Sequence, residues 1–433
     1  MELRAGYKQT ELGLIPEDWQ IAPLGDHATF KTGPFGSALH QSDYVDGGVP
    51  VVNPMQIVDG KILPTSAMSV TEAAAQRLSD FRLSKGNIVI GRRGDMGRCA
   101  CVRPEQHGWL CGTGSMIIRT GASLNAQFIQ RVLASQPIIA EIENASVGST
   151  MTNLNQGTLA TLLVPLPSTK GEQEAIAEAL GDADTLIESL ERLLTKKHNL
   201  KQGAMQELLT GRRRLPEFGA RLSYKHTEVG AVPEDWDVKT LGDLFTFQNG
   251  VNADKSAYGS GVAFINVLEV ITYHTLTEAR IPGRIRLSAR VRGVFAVQFG
   301  DILFNRTSET QEELGLAAVY TGNNEVVFGG FVIRARPRAS SIDPIFMSYV
   351  LRSPTVRAQI VARGQGAIRA NIGQHDLARV QLPLPAKAEQ RAIATVLSEM
   401  DAEIGALEAK LAKACRLKQG MMQQLLTGQT RLI

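Results

Sequence analysis

Two arginines hold equivalent places in the two halves of this 433-residue chain. Arg92 follows the apolar run Asn87-Ile88-Val89-Ile90 and opens Arg92-Arg93-Gly94-Asp95-Met96-Gly97-Arg98. Arg306 follows Asp301-Ile302-Leu303-Phe304 and is succeeded by Thr307-Ser308-Glu309-Thr310-Gln311. A guanidinium on a Gly- or Ser-rich loop just past a buried strand can be both rigid and exposed. That placement suits a phosphate contact or a bidentate pair to a guanine edge, although a solvated turn accounts for any single arginine as well. Further polar loops accompany each one. Lys31-Thr32-Gly33 matches Gln248-Asn249-Gly250, and the segment from Gly148 to Leu154, with Ser149, Thr150 and Asn153, matches the segment from Gly366 to Ile372, with Arg369 and Asn371. The candidate nucleic-acid contacts are therefore Lys31, Thr32, Arg92, Arg93, Arg98, Ser149, Thr150 and Asn153 in the first half, and Gln248, Asn249, Arg306, Thr307, Ser308, Arg369 and Asn371 in the second. Three loops per half, different in detail, are what two readers of two different short sequences would need.

Catalytic patterns are sparse. The chain has no G-x-x-x-x-G-K-[ST] phosphate loop. Asn53-Pro54-Met55-Gln56 is superficially like the N-P-P-[FY] element of adenine methyltransferases, but the second proline and the aromatic are missing and no glycine-rich cofactor loop precedes it. His107, His274 and His375 have no Cys or carboxylate partners at metal spacing. Cys99, Cys101 and Cys111 lie close together only in the first half, so reduced structural thiols are the better reading than a zinc site, with Cys415 a small apolar residue on a helix. Glu172-Gln173 and Glu389-Gln390 stand where helices begin, as first-turn acids that suit the helix dipole rather than acid–base residues.

These loops sit in a frame written twice. Tyr7–Asp26 (YKQTELGLIPEDWQIAPLGD) returns as Tyr224–Asp243 (YKHTEVGAVPEDWDVKTLGD), and Leu200–Leu215 (LKQGAMQELLTGRRRL) returns as Leu417–Leu432 (LKQGMMQQLLTGQTRL), both at an offset of 217 residues. Each copy has a lead-in, a divergent α/β insert and a long helix announced by Pro165-Leu166-Pro167 or Pro383-Leu384-Pro385. The helices carry a heptad seam, at Ile176, Leu180, Ile187, Leu190 and Leu194 and at Ile393, Leu397, Ile404, Leu407 and Leu411. Matching length and register favour packing of helix on helix, antiparallel if the copies are related by a two-fold axis across the pair. Gly203 and Gly420, costly in a helix, mark either a close crossing or the base of a globular part. The expected domains are residues 1–163 and 216–380 for the lead-ins and inserts, and 164–215 and 381–433 for the helices. Net charge is only +3, but the inserts 27–163 and 244–380 carry +2 and +5 against −3 in each lead-in, a distribution that would place phosphate at the inserts. No apolar run is long enough to span a bilayer and the first residues lack an apolar signal region, so a soluble, cytoplasmic protein is expected.

With PEDW lead-ins, PLP-then-EQ helix starts and LKQGxMQxLLTGxxRL helix ends, each present twice, essentially the whole chain resembles the specificity (S) subunit of type I restriction-modification systems. GNIVIGRRGDMG and GDILFNRTSET also look like elements of that family's target recognition domains. The resemblance implies an α/β (α+β) fold: two homologous recognition domains separated by a pair of long antiparallel coiled-coil helices, with internal pseudo-two-fold symmetry. It implies a non-catalytic subunit whose two domains each bind half of an asymmetric bipartite site in double-stranded DNA. Its helices would space the half-sites and dock two methyltransferase subunits, joined by two ATP-dependent motor-nuclease (restriction) subunits. S-adenosylmethionine, ATP and magnesium would then belong to the partners, with none bound by this chain. One departure is noted: Thr169-Lys170-Gly171 is a residue longer than its counterpart before Glu389-Gln390, enough to alter helix phase. The competing reading is a duplicated coiled-coil scaffold whose inserts bind proteins.

Overall fold

The computed structural model describes residues 5–35, 38–94, 97–145, 154–219, 223–366 and 370–432. The chain forms two compact units, one of residues 1–191 with 409–433 and the other of residues 192–408. Each unit thus combines one lead-in and one insert with the beginning of one long helix and the end of the other.

In the first unit a hairpin, Tyr7–Thr10 against Gly13–Pro16, leads to Gln20–Pro23, which pairs antiparallel with Leu163–Leu166. The strand entering the insert is therefore zipped to the strand leaving it. The insert's main sheet has four antiparallel strands, in the order Cys99–Cys101, Ile88–Gly91, Ser115–Thr120 and Ala28–Thr32. Ile88, Val89 and Ile90 have both faces of their strand covered, which explains an unbroken apolar run in place of an alternating one. The thiols of buried Cys99 and half-buried Cys101 donate to the carbonyls of Gln130 and Ala126, and desolvation pushes both, with Cys111, up to about 12. Cys415, by contrast, is exposed.

The second unit repeats the plan. Tyr224–Thr227 pairs with Gly230–Pro233, and Asp237–Thr240 pairs with Gln381–Leu384. Its main sheet has five strands, in the order Phe245–Asn249, Val332–Pro337, Ile302–Asn305, Ala317–Tyr320 and Thr275–Leu276.

The long helices are Lys170–Leu208 and Lys387–Leu425, 39 residues each. Equal length and equivalent starting residues mean that the extra residue near Thr169 is absorbed in the turn ahead of the helix, so the expected change of phase does not occur. Within each unit the two helices run antiparallel. In the second, Lys197 reaches Glu403 at 2.7 Å while Lys201 reaches Asp401; in the first, Lys418 reaches Asp184 at 2.5 Å. The seam is graded along its length. Ile176, Leu180, Leu190, Ile393, Leu397 and Ile404 are buried, whereas Ile187, Leu194, Leu407 and Leu411 are half-buried. The first turns of each helix share one core with both the insert and the far end of the other helix, so helix-on-helix and helix-on-insert packing coexist. Gly203 and Gly420 mark no close crossing, because a methyl group on either would meet no atom within 4 Å.

A buried polar cluster closes each unit. Glu172 accepts from the indole N–H of buried Trp19 at 3.3 Å and is forked by Arg431, which also grips Asp18 through two bonds of 2.9 and 3.0 Å. In the second unit, Glu389 accepts from Trp236 at 3.1 Å and from Arg214 at 2.8 and 2.6 Å, and Arg214 reaches Asp235 at 2.8 Å. The glycine of each LLTG tail has positive φ, 69° at Gly211 and 68° at Gly428, and a Cβ there would lie 2.5 Å from Pro233 or Pro16. Only glycine turns the tail so that its arginine reaches the cluster. The EQ pairs are thus more than dipole-matched acids. Glu anchors Trp and Arg, while Gln173 and Gln390 accept at 2.8 Å from the backbone N–H groups of Asn125 and Asp343, the caps of the insert helices Ala126–Leu133 and Pro344–Val350.

Removing one partner of a buried ion pair strands the other charge, at a cost of about 3–5 kcal/mol. Arg214→Ala is expected to destabilise the second unit by that amount in chemical denaturation. Arg431→Ala should cost less, since the Arg431 side chain is 33% exposed against 9% for Arg214. Lysine should restore little at either place, because it cannot fork a carboxylate.

Candidate nucleic-acid interface

Strand register gathers the polar loops at one end of each insert sheet. In the first unit Thr32 lies opposite Met116, and Met116 opposite Ile90. The chain leaving Thr32, the chain arriving at Ser115 and the chain leaving Gly91 therefore emerge together. Backbone bonds clip them: Gly33 N–H to Ser115 O at 3.0 Å, Arg92 N–H to Gly114 O at 2.9 Å, and Leu154 N–H to Arg92 O at 2.9 Å. The second unit has the same clip, with Gly250 N–H to Val332 O at 3.1 Å, Arg306 N–H to Phe331 O at 2.9 Å and Ile372 N–H to Arg306 O at 3.0 Å. Gly33 and Gly250 are obligatory, since a Cβ would fall 1.9 and 2.1 Å from the carbonyl oxygens of Gly112 and Gly329.

Both arginines are held from behind. Arg92 Nε donates to Leu154 O at 3.1 Å, and Arg306 Nη1 to Gly330 O at 3.5 Å. Partial burial, and then the neighbouring Arg93, lower the proton affinity of Arg92, yet a guanidinium keeps its charge at neutral pH. Arg93 and Arg98 are exposed. Thr32 stays at this edge and accepts from Gln156 at 2.9 Å; Asn249 is exposed at the equivalent edge. Thr307 and Asn371 lie side by side, joined by a hydroxyl-to-amide bond of 2.7 Å.

Other candidates are placed differently. Lys31 turns onto the sheet face, over the Phe81 ring and 3.4 Å from Asp80. Gln248 is occupied internally, accepting from Arg334 and donating to Val294 O at 3.3 Å. Ser308 is buried and donates to Glu313 at 3.1 Å, which removes it from the surface. Ser149, Thr150, Asn153 and Arg369 lie outside the described residues. The positive excess of the second insert also shrinks as a footprint. Arg336 is paired to buried Asp301 at 2.7 Å, Arg352 (through Nε and Nη2) and Arg357 (through Nη2) donate to backbone carbonyls, and burial pushes Arg352 down to about 10.

Sequence reasoning passed over a set of apolar residues at the same edges. Phe35 and Met55 in the first unit are 72% and 78% exposed, and Phe331 in the second is 65% exposed. Met55 extends from a turn capped by Asn53, whose Oδ1 also accepts from Gly114 N–H at 3.2 Å; the Asn53-Pro54-Met55-Gln56 segment braces the Arg92 loop. Exposed apolar side chains beside a fixed guanidinium suit stacking on bases or contact with a thymine methyl. Their signal was an apolar residue directly after glycine or proline.

Residues 16–197 and 233–414 each match the family described as type I restriction modification DNA specificity domain. Among similar proteins, the MjaX specificity-subunit sequence of Methanocaldococcus jannaschii is 25% identical, with 98% of this chain and 97% of that sequence covered. The EcoKI type I restriction enzyme specificity subunit of Escherichia coli is 22% identical over 96% of this chain and 89% of its own. In fold, the chain is similar to the crystal structure of a type I restriction-modification S subunit from M. genitalium, with TM-score 0.57, 16% identity and 98% of each chain covered.

Arg306→Ala is expected to weaken binding to duplex DNA by about 1–3 kcal/mol and, where it reads a base, to relax the preference at one position. Phe331→Ala should weaken binding without changing its salt dependence, because no phosphate charge is matched by a phenyl ring. Binding titrations at several salt concentrations separate the two effects.

Proposed function

This chain belongs to the type I restriction modification DNA specificity family, and from that premise we propose that its two inserts each bind one half of an asymmetric, bipartite site in double-stranded DNA. The observation that carries the reading is the repeated clip, which holds Arg92 and Arg306 in one backbone setting while surrounding them with different side chains. A shared scaffold with divergent loops is what two readers of different half-sites require. A wrong base pair costs a single small reader only about 1–3 kcal/mol, and two joined readers multiply their discrimination.

In this reading the long helices are the ruler. At 1.5 Å per residue each is about 58 Å long, and because DNA rises about 3.4 Å per base pair and turns once in about 10, their length and phase select both spacer and groove face. The same helices offer docking surfaces to two methyltransferase subunits; exposed Leu186, Leu193, Leu200 and Leu417 are apolar groups available for it. Two ATP-dependent restriction subunits complete the assembly. Methyl transfer and cleavage, with S-adenosylmethionine, ATP and magnesium, belong to those partners in the cytoplasm, and this chain contributes recognition alone.

Titration of the chain with its methyltransferase subunits against duplex DNA tests this. The logarithm of affinity should fall linearly with the logarithm of salt concentration, by several units of slope as several phosphates are neutralised; a flat response would favour a protein scaffold. Inserting four residues into either long helix should change the permitted spacer and leave both half-site sequences intact. Altered half-sites at an unchanged spacer would contradict the ruler.

A further inference from the structure

A carboxylate in the middle of each long helix joins three elements at one point. In the first unit Asp184 binds Arg131 of the insert helix Ala126–Leu133 and, at 2.5 Å, Lys418 of the antiparallel long helix. In the second unit Asp401 binds Lys201 of the antiparallel long helix and accepts at 2.7 Å from the hydroxyl of Tyr349, on the insert helix Pro344–Val350. Asp184 and Asp401 are equivalent in the repeat, as are Lys201 and Lys418; both pairs stand at the offset of 217 residues. Arg131 and Tyr349 occupy the same turn of their insert helices but differ in chemistry. The frame therefore supplies a constant Asp–Lys receptacle, and each insert meets it with its own donor.

This contact is a further polar hold on the same insert helix. Gln173 and Gln390 hold its N-terminus through Asn125 and Asp343, and the aspartate lies eleven residues further along the long helix, about 16 Å at 1.5 Å per residue. Added to the core that the insert shares with the helix start and to the paired strands at its base, two polar attachments that far apart on the long helix fix the insert's tilt. The side chains are well placed for this. Asp184 and Asp401 are 23% and 28% exposed, and Arg131 only 16%, so the bonds are partly shielded from water. In the second unit Ser398 adds a 3.3 Å contact to the Tyr349 hydroxyl, and His274 stacks on its ring with centroids 5.1 Å apart and comes within 3.6 Å of Asp401.

We propose that Asp184 and Asp401 are positioning residues that fix the tilt of each recognition domain on the helix pair and so sharpen the spacer the protein accepts. The proposal rests on the bipartite DNA reading above. An insert exchanged into this frame would keep its aim by presenting any hydrogen-bond donor to the waiting carboxylate.

The test uses the full complex with its methyltransferase subunits on DNA libraries in which the wild-type site carries its own spacer or one base pair more or less. Arg131→Met and Tyr349→Phe each remove the donor on the insert helix and keep most of its packing, and Tyr349→Phe is combined with His274→Phe so that no second insert group faces Asp401. Each is expected to lower the preference for the native spacer by about tenfold, within the range of one broken pairwise coupling, while both half-site sequences stay as in wild type. Arg131→Lys, which keeps a donor, should restore most of that preference. Unchanged spacer preference in both variants overturns the proposal, as does an equal loss of methylation at every spacer, the result of a purely structural role. If the wild-type complex itself methylates no gapped site, the functional reading fails and takes this proposal with it.

Discussion

The frame depends on a carboxylate that water cannot reach. Glu172 and Glu389 are buried at the first turn of their helices, and a buried charge is tolerated only when it is paired and hydrogen-bonded. The pairing comes from far away. Trp19 and Trp236 each contribute one N–H from a lead-in, and the forked guanidinium comes from the tail of a long helix: Arg431 for Glu172, Arg214 for Glu389. A lead-in, the start of one helix and the end of the other must therefore assemble together or not at all. This requirement ties the repeat together and explains why PEDW, EQ and LLTG-x-x-R changed least between the copies. Each is one side of the same closure, and the inserts, which hang from it by paired strands and a capped helix, are free to diverge.

What the sequence made legible follows the same division. Lead-ins, tails, the proline stops and the heptad seam could be read because the chain repeats them, and a single offset aligned the partners. The polarity of the EQ pair could not reveal its role, because spacing shows that a helix begins but not that an arginine 259 residues away will close on it. Inside the inserts, strand-forming runs such as Ile88–Ile90 and Ile302–Phe304 were plain, as were the loops that follow them. Individual side chains were less so. Gln248 reads as a loop residue free to meet a ligand, yet it accepts from Arg334 of the neighbouring strand, and Ser308 points inward at Glu313. Phe331 and Met55 were missed for the opposite reason: an apolar residue in sequence reads as core until the fold shows it standing in solvent.

Constancy and variation are thus assigned to different physical jobs. Backbone bonds and glycines set where the Arg92 and Arg306 loops stand, and these are alike in both units. Side chains around them set what those loops can touch, and these differ. The Asp–Lys receptacle extends the same logic to the junction with the helices, where the frame's half of the contact is fixed and the insert's half is arginine in one unit and tyrosine in the other.

The most direct measurement is methylation-sensitive long-read sequencing of DNA from cells carrying this chain together with its methyltransferase subunit, against cells lacking the chain. The proposed function, two readers on one frame, requires a gapped motif, with two unlike half-sites at a fixed spacer, methylated only when the chain is present. A continuous motif, or no motif from a methyltransferase that is active beside another specificity subunit, would contradict the account.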